Sequence, residues 1–219
     1  MSLCVDPSDC GALDSVMTQD VHDHCLDVAA ALSPDLHAAI ARQGALPHWS
    51  SPSAPFPVSL SRSVAGQQLS VKAAASIWKR VEALSDAPDG LLEVFTETQA
   101  DRMRACGLSG AKVKTLIAIA EAQRQGLLDE AVLQALSPQE RSDRLIDIWG
   151  VGRWTADMAN IFYFQEPDIW PDGDVTARKT LEKLTSKRRK TVRTAARFAP
   201  CRSYLARYMW RHADAPPDM

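Results

Sequence analysis

Along most of this chain apolar residues recur at the three-to-four spacing of a helix, not at the alternating spacing of a strand. Between Ser63 and Leu84 the positions Val64, Val71, Ala74, Ala75, Trp78 and Val81 share one helical face, so one helix is expected there. Val113, Leu116, Ile117 and Ala120 repeat the pattern behind Ser109, a candidate N-cap. Ser33-Pro34-Asp35 starts another helix, with Leu36, Ala39 and Ile40 as its apolar stripe. Ser137-Pro138-Gln139-Glu140 reads as a capping box opening a helix that runs through Leu145 to Ile148. Gly150-Val151-Gly152 follows, and a further helix runs from Trp154 to about Phe164. The last helix carries Tyr204, Leu205, Tyr208 and Met209 on one side. The four prolines between residues 47 and 57 read as a loop, Ser85 to Gly90 as a break, and Leu91, Leu92 and Phe95 as a short helix. With no alternating run and no strand-flanked turn, the fold class is all-α.

The 219 residues suffice for one large domain or two small lobes. No apolar run approaches the ~20 residues of a membrane span, and the acidic start does not read as a secretory signal. Five cysteines, Cys4, Cys10, Cys25, Cys106 and Cys201, are scattered, without a paired framework or a C-x-x-C motif. A reducing, cytoplasmic compartment is expected (nucleoid-associated if the source is bacterial), with no membrane partner.

A formal net charge of −2 argues against a nucleic-acid binder, but its distribution changes the picture. From Met1 to Leu60 seven aspartates face only Arg42. From Ala177 to His212 the basic residues, Arg188, Arg189, Lys190, Arg193 and Arg197 among them, face only Glu182. This asymmetry fits either a basic binding face or a solvated helix surface.

The tight link between the helices around residue 150 carries the first candidate chemistry. Glycine permits positive φ and lets a ligand approach the backbone, and the second helix offers unpaired amides to an anion. A DNA phosphate on the amides near Gly150 and Gly152, helped by Thr155, would be a sequence-blind contact. A plain helix–helix corner fits the same residues.

The stretch LIDIWGVGRWTADM followed by WPDGDVTARK resembles the helix-hairpin-helix DNA glycosylase superfamily, and within it the 3-methyladenine DNA glycosylase II type. SPDLHAAIARQG, SVAGQQLSVKAAASIW and FAPCRSYLARYMWRH resemble further family helices in the same order, over residues 33 to 212. The resemblance implies two helical lobes with an active-site cleft between them. Residues 33–62 and 171–213 would form one lobe, and 63–170, with the hairpin, the other. Residues 1–32 are an acidic lead, partly disordered or a covering helix. The implied activity is a monofunctional glycosylase of base excision repair, acting as a monomer on double-stranded DNA with damaged bases. It would flip out alkylated purines and hydrolyse the N-glycosidic bond.

The family's essential aspartate matches Asp174, with Asp172 as the competitor. A fixed anion stabilises the oxocarbenium-like sugar and can orient the attacking water. A helix N-cap is the alternative role for Asp174, and the two are compatible. Trp154 and Trp210 match aromatic pocket positions, where an indole face attracts a cationic base; buried core tryptophans are the alternative. Met158 stands where some relatives carry tyrosine, a softer pocket wall. Gln68 matches the residue that intercalates into the vacated stack, against an exposed helix glutamine. Lys112 fits a DNA-backbone contact or a solvated side chain. The Schiff-base lysine of bifunctional relatives is replaced by Trp154, and the four iron–sulfur cysteines of one branch are absent. No cofactor is required. The resemblance allows a structural Na⁺ or K⁺ on the backbone carbonyls of Ile146, Ile148 and Val151, where it would strengthen phosphate binding. Two further readings stand: a glycosylase for a deaminated or oxidised base, and a catalytically silent DNA-binding module.

Overall fold

The computed structural model describes residues 7–50, 52–85 and 90–214, with side chains from residue 18 onward. Among the described residues there are helices and no strand, as the periodicity predicts. The chain divides into two units: residues up to Ser50 together with those from Gln165 onward, and Ser51–Phe164.

The first unit is built from α1 (Pro7–Ala30), α2 (Pro34–Gln43), α11 (Val175–Leu184), α12 (Thr191–Ala195) and α13 (Arg202–Asp214). Within the acidic lead Pro7–Ala30 form α1, and Met1 to Asp6 fall outside the described residues. His22, Cys25 and Ala29 recur at helical spacing on the buried side of α1, which packs on α2. Ser33 caps α2 as expected, and its hydroxyl also donates to the Leu184 carbonyl that ends α11. The His22 ring and the Tyr208 hydroxyl lie 2.7 Å apart, and Tyr208 donates on to the Gly44 carbonyl. Long-range bonds of this kind hold the two chain ends in one unit.

The second unit holds α3 (Phe56–Gly66), α4 (Val71–Glu82), α5 (Leu91–Val94), α6 (Ala100–Ala105), α7 (Gly110–Arg124), α8 (Glu130–Ala135), α9 (Pro138–Ile146) and α10 (Arg153–Phe162). Its core gathers Phe56, Leu60 and Val64 with Trp78, Leu116, Ile119 and Leu145. That packing explains why the boundary falls at 50/51 and not after residue 62, since α3 buries its apolar face against α7. At the other end, residues 165–170 join the chain-ends unit through the Ser203 amide on Pro167 and the Arg202 guanidinium on Asp168.

The expected single helix over 63–84 is two helices. Gln68 has φ +59°, a left-handed conformation that no α-helix interior accepts, and Ser70 caps a new helix at Ala73. The proline-rich stretch expected as a loop supplies the start of α3, with Pro57 in its first turn. The break assigned to Ser85–Gly90 lies largely outside the described residues. The capping box at Ser137 and Glu140 forms as predicted, but α9 stops at Ile146 instead of running to Ile148.

The hairpin helices α9 and α10 are tied by a buried polar network. Arg141, 1% exposed, donates to the Leu133 and Leu136 carbonyls at the end of α8 and to Asn160 on α10 at 2.7 Å. Asn160 in turn donates to Ser142 and the Pro138 carbonyl, and the guanidinium lies over the Phe164 ring. Among the described residues no helix is long and apolar enough to cross a membrane.

Replacing Arg141 by Met strips three acceptors of their donor. Unfolding in urea should show a loss of about 3 kcal/mol or more. Arg124→Ala, which removes an exposed pair with Glu121, should cost ~1 kcal/mol or less.

Candidate active site and nucleic-acid interface

The turn between α9 and α10 is closed by the Val151 amide on the Ile148 carbonyl, 3.0 Å away. Its two glycines serve different ends. Gly150 has φ +83°, and a Cβ there would collide with Thr115 Oγ1 and lie 3.0 Å from Thr115 Cβ and Cγ2. Backbone and packing both demand glycine at that position. Gly152 has φ −93° and open space where a Cβ would stand, so nothing inside the protein requires it to be glycine. It is the N-cap of α10 and has no side chain to cover the helix amides. Ile146, Trp149, Gly150 and Gly152 are exposed, whereas Ile148 and Val151 plug the hairpin into the core.

Helix α7 braces the second unit's two candidate DNA-contacting turns. Thr115 receives Gly150, the Lys114 ammonium sits 4.1 Å above the Trp149 ring, and Lys112 reaches the turn that carries Gln68. The Lys112 ammonium donates to the carbonyls of Ala65 (2.9 Å) and Gln67 (2.8 Å) at the C-terminal end of α3, which uses two of its three N–H groups. Partial burial pushes its pKa down, and the carbonyl end of a helix favours a cation there. Gln68 is exposed beside it, held in left-handed backbone by the turn. A non-glycine residue in that conformation costs about 1 kcal/mol, which suits a side chain presented outward rather than packed.

Thr155 departs from expectation. It is 4% exposed and accepts a hydrogen bond from the Gln67 amide at 3.0 Å, so its hydroxyl joins the turn at Gln67 to α10 instead of projecting to a phosphate. Gln67, which sequence reasoning passed over, thus links the Gln68 turn to the start of the second hairpin helix. Thr155 and Met158 line a cavity of about 280 Å³ with Phe56, Ser59, Ser63, Phe162 and Tyr163. The volume is just under the ~300 Å³ at which small-ligand pockets begin. The three aromatics escaped the sequence reading because Phe56 lies in the proline-rich stretch and Phe162 and Tyr163 close the helix that begins at Trp154. Trp154, one turn before Met158, is half-buried and is not one of that cavity's lining residues.

Asp157 is a second carboxylate on α10 that the sequence did not flag. It is almost fully buried, and desolvation pushes its pKa up to about 6 against the opposing pull of Arg153, 3.1 Å away.

The catalytic candidate belongs to the chain-ends unit. Asp174 ends the Pro171–Asp174 turn and caps α11: its Oδ1 accepts the Ala177 amide at 2.8 Å. The same oxygen accepts the Trp210 indole N–H of α13 at 2.9 Å. Carboxylate and indole are therefore in direct contact, both half-buried. Asp172, the competitor, is exposed and accepts the Thr191 hydroxyl at the start of α12, a structural tie. Among the described residues no cluster of three or more His, Cys, Asp or Glu side chains could hold a metal ion.

Two outcomes follow from this geometry. Gly150→Ala should lower the melting temperature, because it adds both strain and a clash. Gly152→Ala should melt within ~0.5 kcal/mol of wild type yet bind duplex DNA more weakly in a fluorescence-anisotropy titration. Asp157 gives a pH signature. Its folded pKa of about 6 lies above the ordinary 3.8, so ionisation opposes folding. Its contribution to stability should be fully present below pH ~4, fall by on the order of 3 kcal/mol as pH rises to ~6 and level off beyond. Thermal melts of Asp157→Asn across that range should lose this step.

The chain matches the family model of the HhH-GPD superfamily base excision DNA repair protein over residues 61–200. It is 35% identical over 166 residues to DNA-3-methyladenine glycosylase 1 of Schizosaccharomyces pombe, covering 69% of this chain and 70% of that protein. A solved structure of the S. pombe 3-methyladenine DNA glycosylase in complex with abasic DNA superposes with a TM-score of 0.73 at 30% identity, covering 88% and 95% of the two chains. A DNA-3-methyladenine glycosidase from Bacillus halodurans superposes with a TM-score of 0.70 at 25% identity, covering 86% and 88%. With its hairpin, its capping aspartate and a model match over most of its length, this chain belongs to the helix-hairpin-helix superfamily of base excision DNA repair proteins.

Proposed function

We propose that the protein is a monofunctional DNA glycosylase that removes alkylated purines, such as 3-methyladenine or 7-methylguanine, from double-stranded DNA and leaves an abasic site. The observation that carries this reading is the doubly held oxygen of Asp174, fixed by the Ala177 amide and the Trp210 indole. A carboxylate so held cannot swing away from charge that develops beside it. As the N-glycosidic bond breaks, positive charge grows on the sugar, and a fixed anion stabilises it. Asp174 also orients the attacking water, which adds to C1′ as the base departs with the bonding electron pair and the water's proton passes to solvent. An alkylated purine already cationic leaves as a neutral base, so strong protonation of the leaving group is not needed.

Trp154 in one unit and Trp210 in the other each carry an indole face that attracts a cationic base, worth about 1–2 kcal/mol in a desolvated site. Met158 contributes a soft, polarisable wall. Gln68, presented on its strained turn, fills the vacated stack. The hairpin amides near Gly150 and Gly152 grip a phosphate. A Na⁺ or K⁺ would be held by the carbonyls of Ile146, Ile148 and Val151. The Ile148 carbonyl already accepts the Val151 amide and keeps a second lone pair. Such an ion would supply positive charge next to the phosphate. No lysine stands at position 154, so the strand stays intact, and the reaction runs wherever the chain meets cellular DNA.

The test is single-turnover base release from duplexes bearing one 3-methyladenine, 7-methylguanine or ethenoadenine. Asp174→Asn keeps an acceptor for both donors and should fold normally, yet release should slow by ~10²-fold or more. Borohydride should trap no covalent adduct. Undiminished release by Asp174→Asn would remove the reading, and release confined to uracil or 8-oxoguanine duplexes would move it to another base.

A further inference from the structure

The basic residues of the C-terminal third divide into two groups once their partners are known. Arg202 is committed to Asp168 by two bonds of 2.7 and 2.9 Å. Arg207 donates to the Pro47 carbonyl and lies over the Trp49 ring, 4.6 Å from its centroid. These are structural cations. Arg188, Arg189, Lys190, Arg193 and Arg197 differ. All five are exposed, and they line a single cavity of about 460 Å³ around the buried Thr194. Among the described residues none of the five side chains has a hydrogen bond or an ion pair, and the sequence holds no acid between Glu182 and Asp214.

Five like charges around one hollow repel one another, and surface proteins ordinarily intersperse the signs. Water and salt relieve part of the repulsion; an anion seated among the cations relieves more. We propose that this cavity is a second DNA-backbone site, carried by the chain-ends unit and separate from the hairpin, where the guanidinium groups of Arg188, Arg189, Arg193 and Arg197 hold phosphates of undamaged duplex. Two features favour phosphate over an acidic protein. The cations are mostly guanidinium forks, which match phosphate oxygens in pairs. Leu32 is the cavity's only apolar lining residue, so it offers no hydrophobic anchor of the kind that protein interfaces use. The contact reads no base and grips DNA whether or not a lesion is present. It rests on the reading of this protein as DNA-acting but not on which base is released, or on release at all.

The experiment compares the full chain with the triple variant Arg189→Gln/Arg193→Gln/Arg197→Gln and a charge-matched control, Lys79→Gln/Arg104→Gln/Arg124→Gln, whose changes lie in the other unit. Affinity for an undamaged duplex is titrated against salt. Each phosphate contact contributes about 0.9 to the slope of log K against log salt, so the triple variant should lose about 2–3 from that slope and the single variant Arg193→Gln about 1. The control should keep the wild-type slope to within about 1. A triple variant whose slope matches the control's overturns the proposal, and so does one that keeps the wild-type slope while losing an acidic protein partner. A wild-type protein that shows the full slope but releases no alkylated base leaves this site standing and overturns the glycosylase reading instead.

Discussion

One carboxylate oxygen carries much of the chain-ends unit. Asp174 Oδ1 starts α11 by accepting the Ala177 amide and joins it to α13 by accepting the Trp210 indole. Helices α11 and α13 make the most extensive pairing of that unit, so the oxygen sits where their packing is set. Fold and chemistry make the same demand here. A cap requires a fixed acceptor at the positive end of a helix, and stabilising a sugar cation requires a fixed anion. The compatibility is chemical: a carboxylate that accepts a helix amide keeps its negative charge. Asparagine keeps the cap and loses the charge, which separates the two roles in one substitution.

Helix α7 plays the corresponding part in the other unit. Lys112, Lys114 and Thr115 lie within four residues and meet the Gln68 turn, Trp149 and Gly150 respectively. A turn in left-handed backbone and a hairpin that leaves no room for a Cβ are both costly conformations, and each persists because rigid structure over-determines it. The lysine's placement has a simple cause. The last carbonyls of α3 have no amide partner within their own helix, and an ammonium supplies donors and charge together. Loss of Lys112 would therefore loosen the presentation of Gln68.

What the sequence reveals and what it hides follow from the range of the interactions. The caps at Ser33, Ser109 and Ser137 were legible because each lies three residues from its donor. The glycines alone fit a plain helix corner as well, and the hairpin and Asp174 stood out only through the resemblance of the whole stretch to a known family. The break at Gln68 was not legible: glutamine carries no signal for positive φ, and apolar spacing ran across the turn undisturbed. Lys112 and Thr155 were assigned to DNA because they are polar and adjacent to the motif. Their actual partners are 45 and 88 residues away in the chain, where only folding brings them within reach. Asp157 was invisible for the same reason, since its shift is made by burial. The unit boundary was misplaced because Phe56 and Leu60 show their hydrophobicity in sequence but not which core they enter.

The near-zero net charge now has a physical account. An enzyme that searches duplex DNA needs attraction weak enough to let go, and a chain basic throughout would hold every duplex it met. Here the first 60 residues carry seven acids against one arginine, while the cations of residues 188–197 surround one hollow and others, such as Arg202 and Arg207, are engaged by internal partners. Net charge measures none of this; what matters is which cations are left without internal partners. Counting basic residues in the last third would treat Arg202 and Arg207, which are held by Asp168 and the Pro47 carbonyl, like the five that line the hollow. An indole reads charge on a base, whereas guanidinium groups read charge on the backbone. Under the proposed reading, grip and selection therefore depend on different atoms.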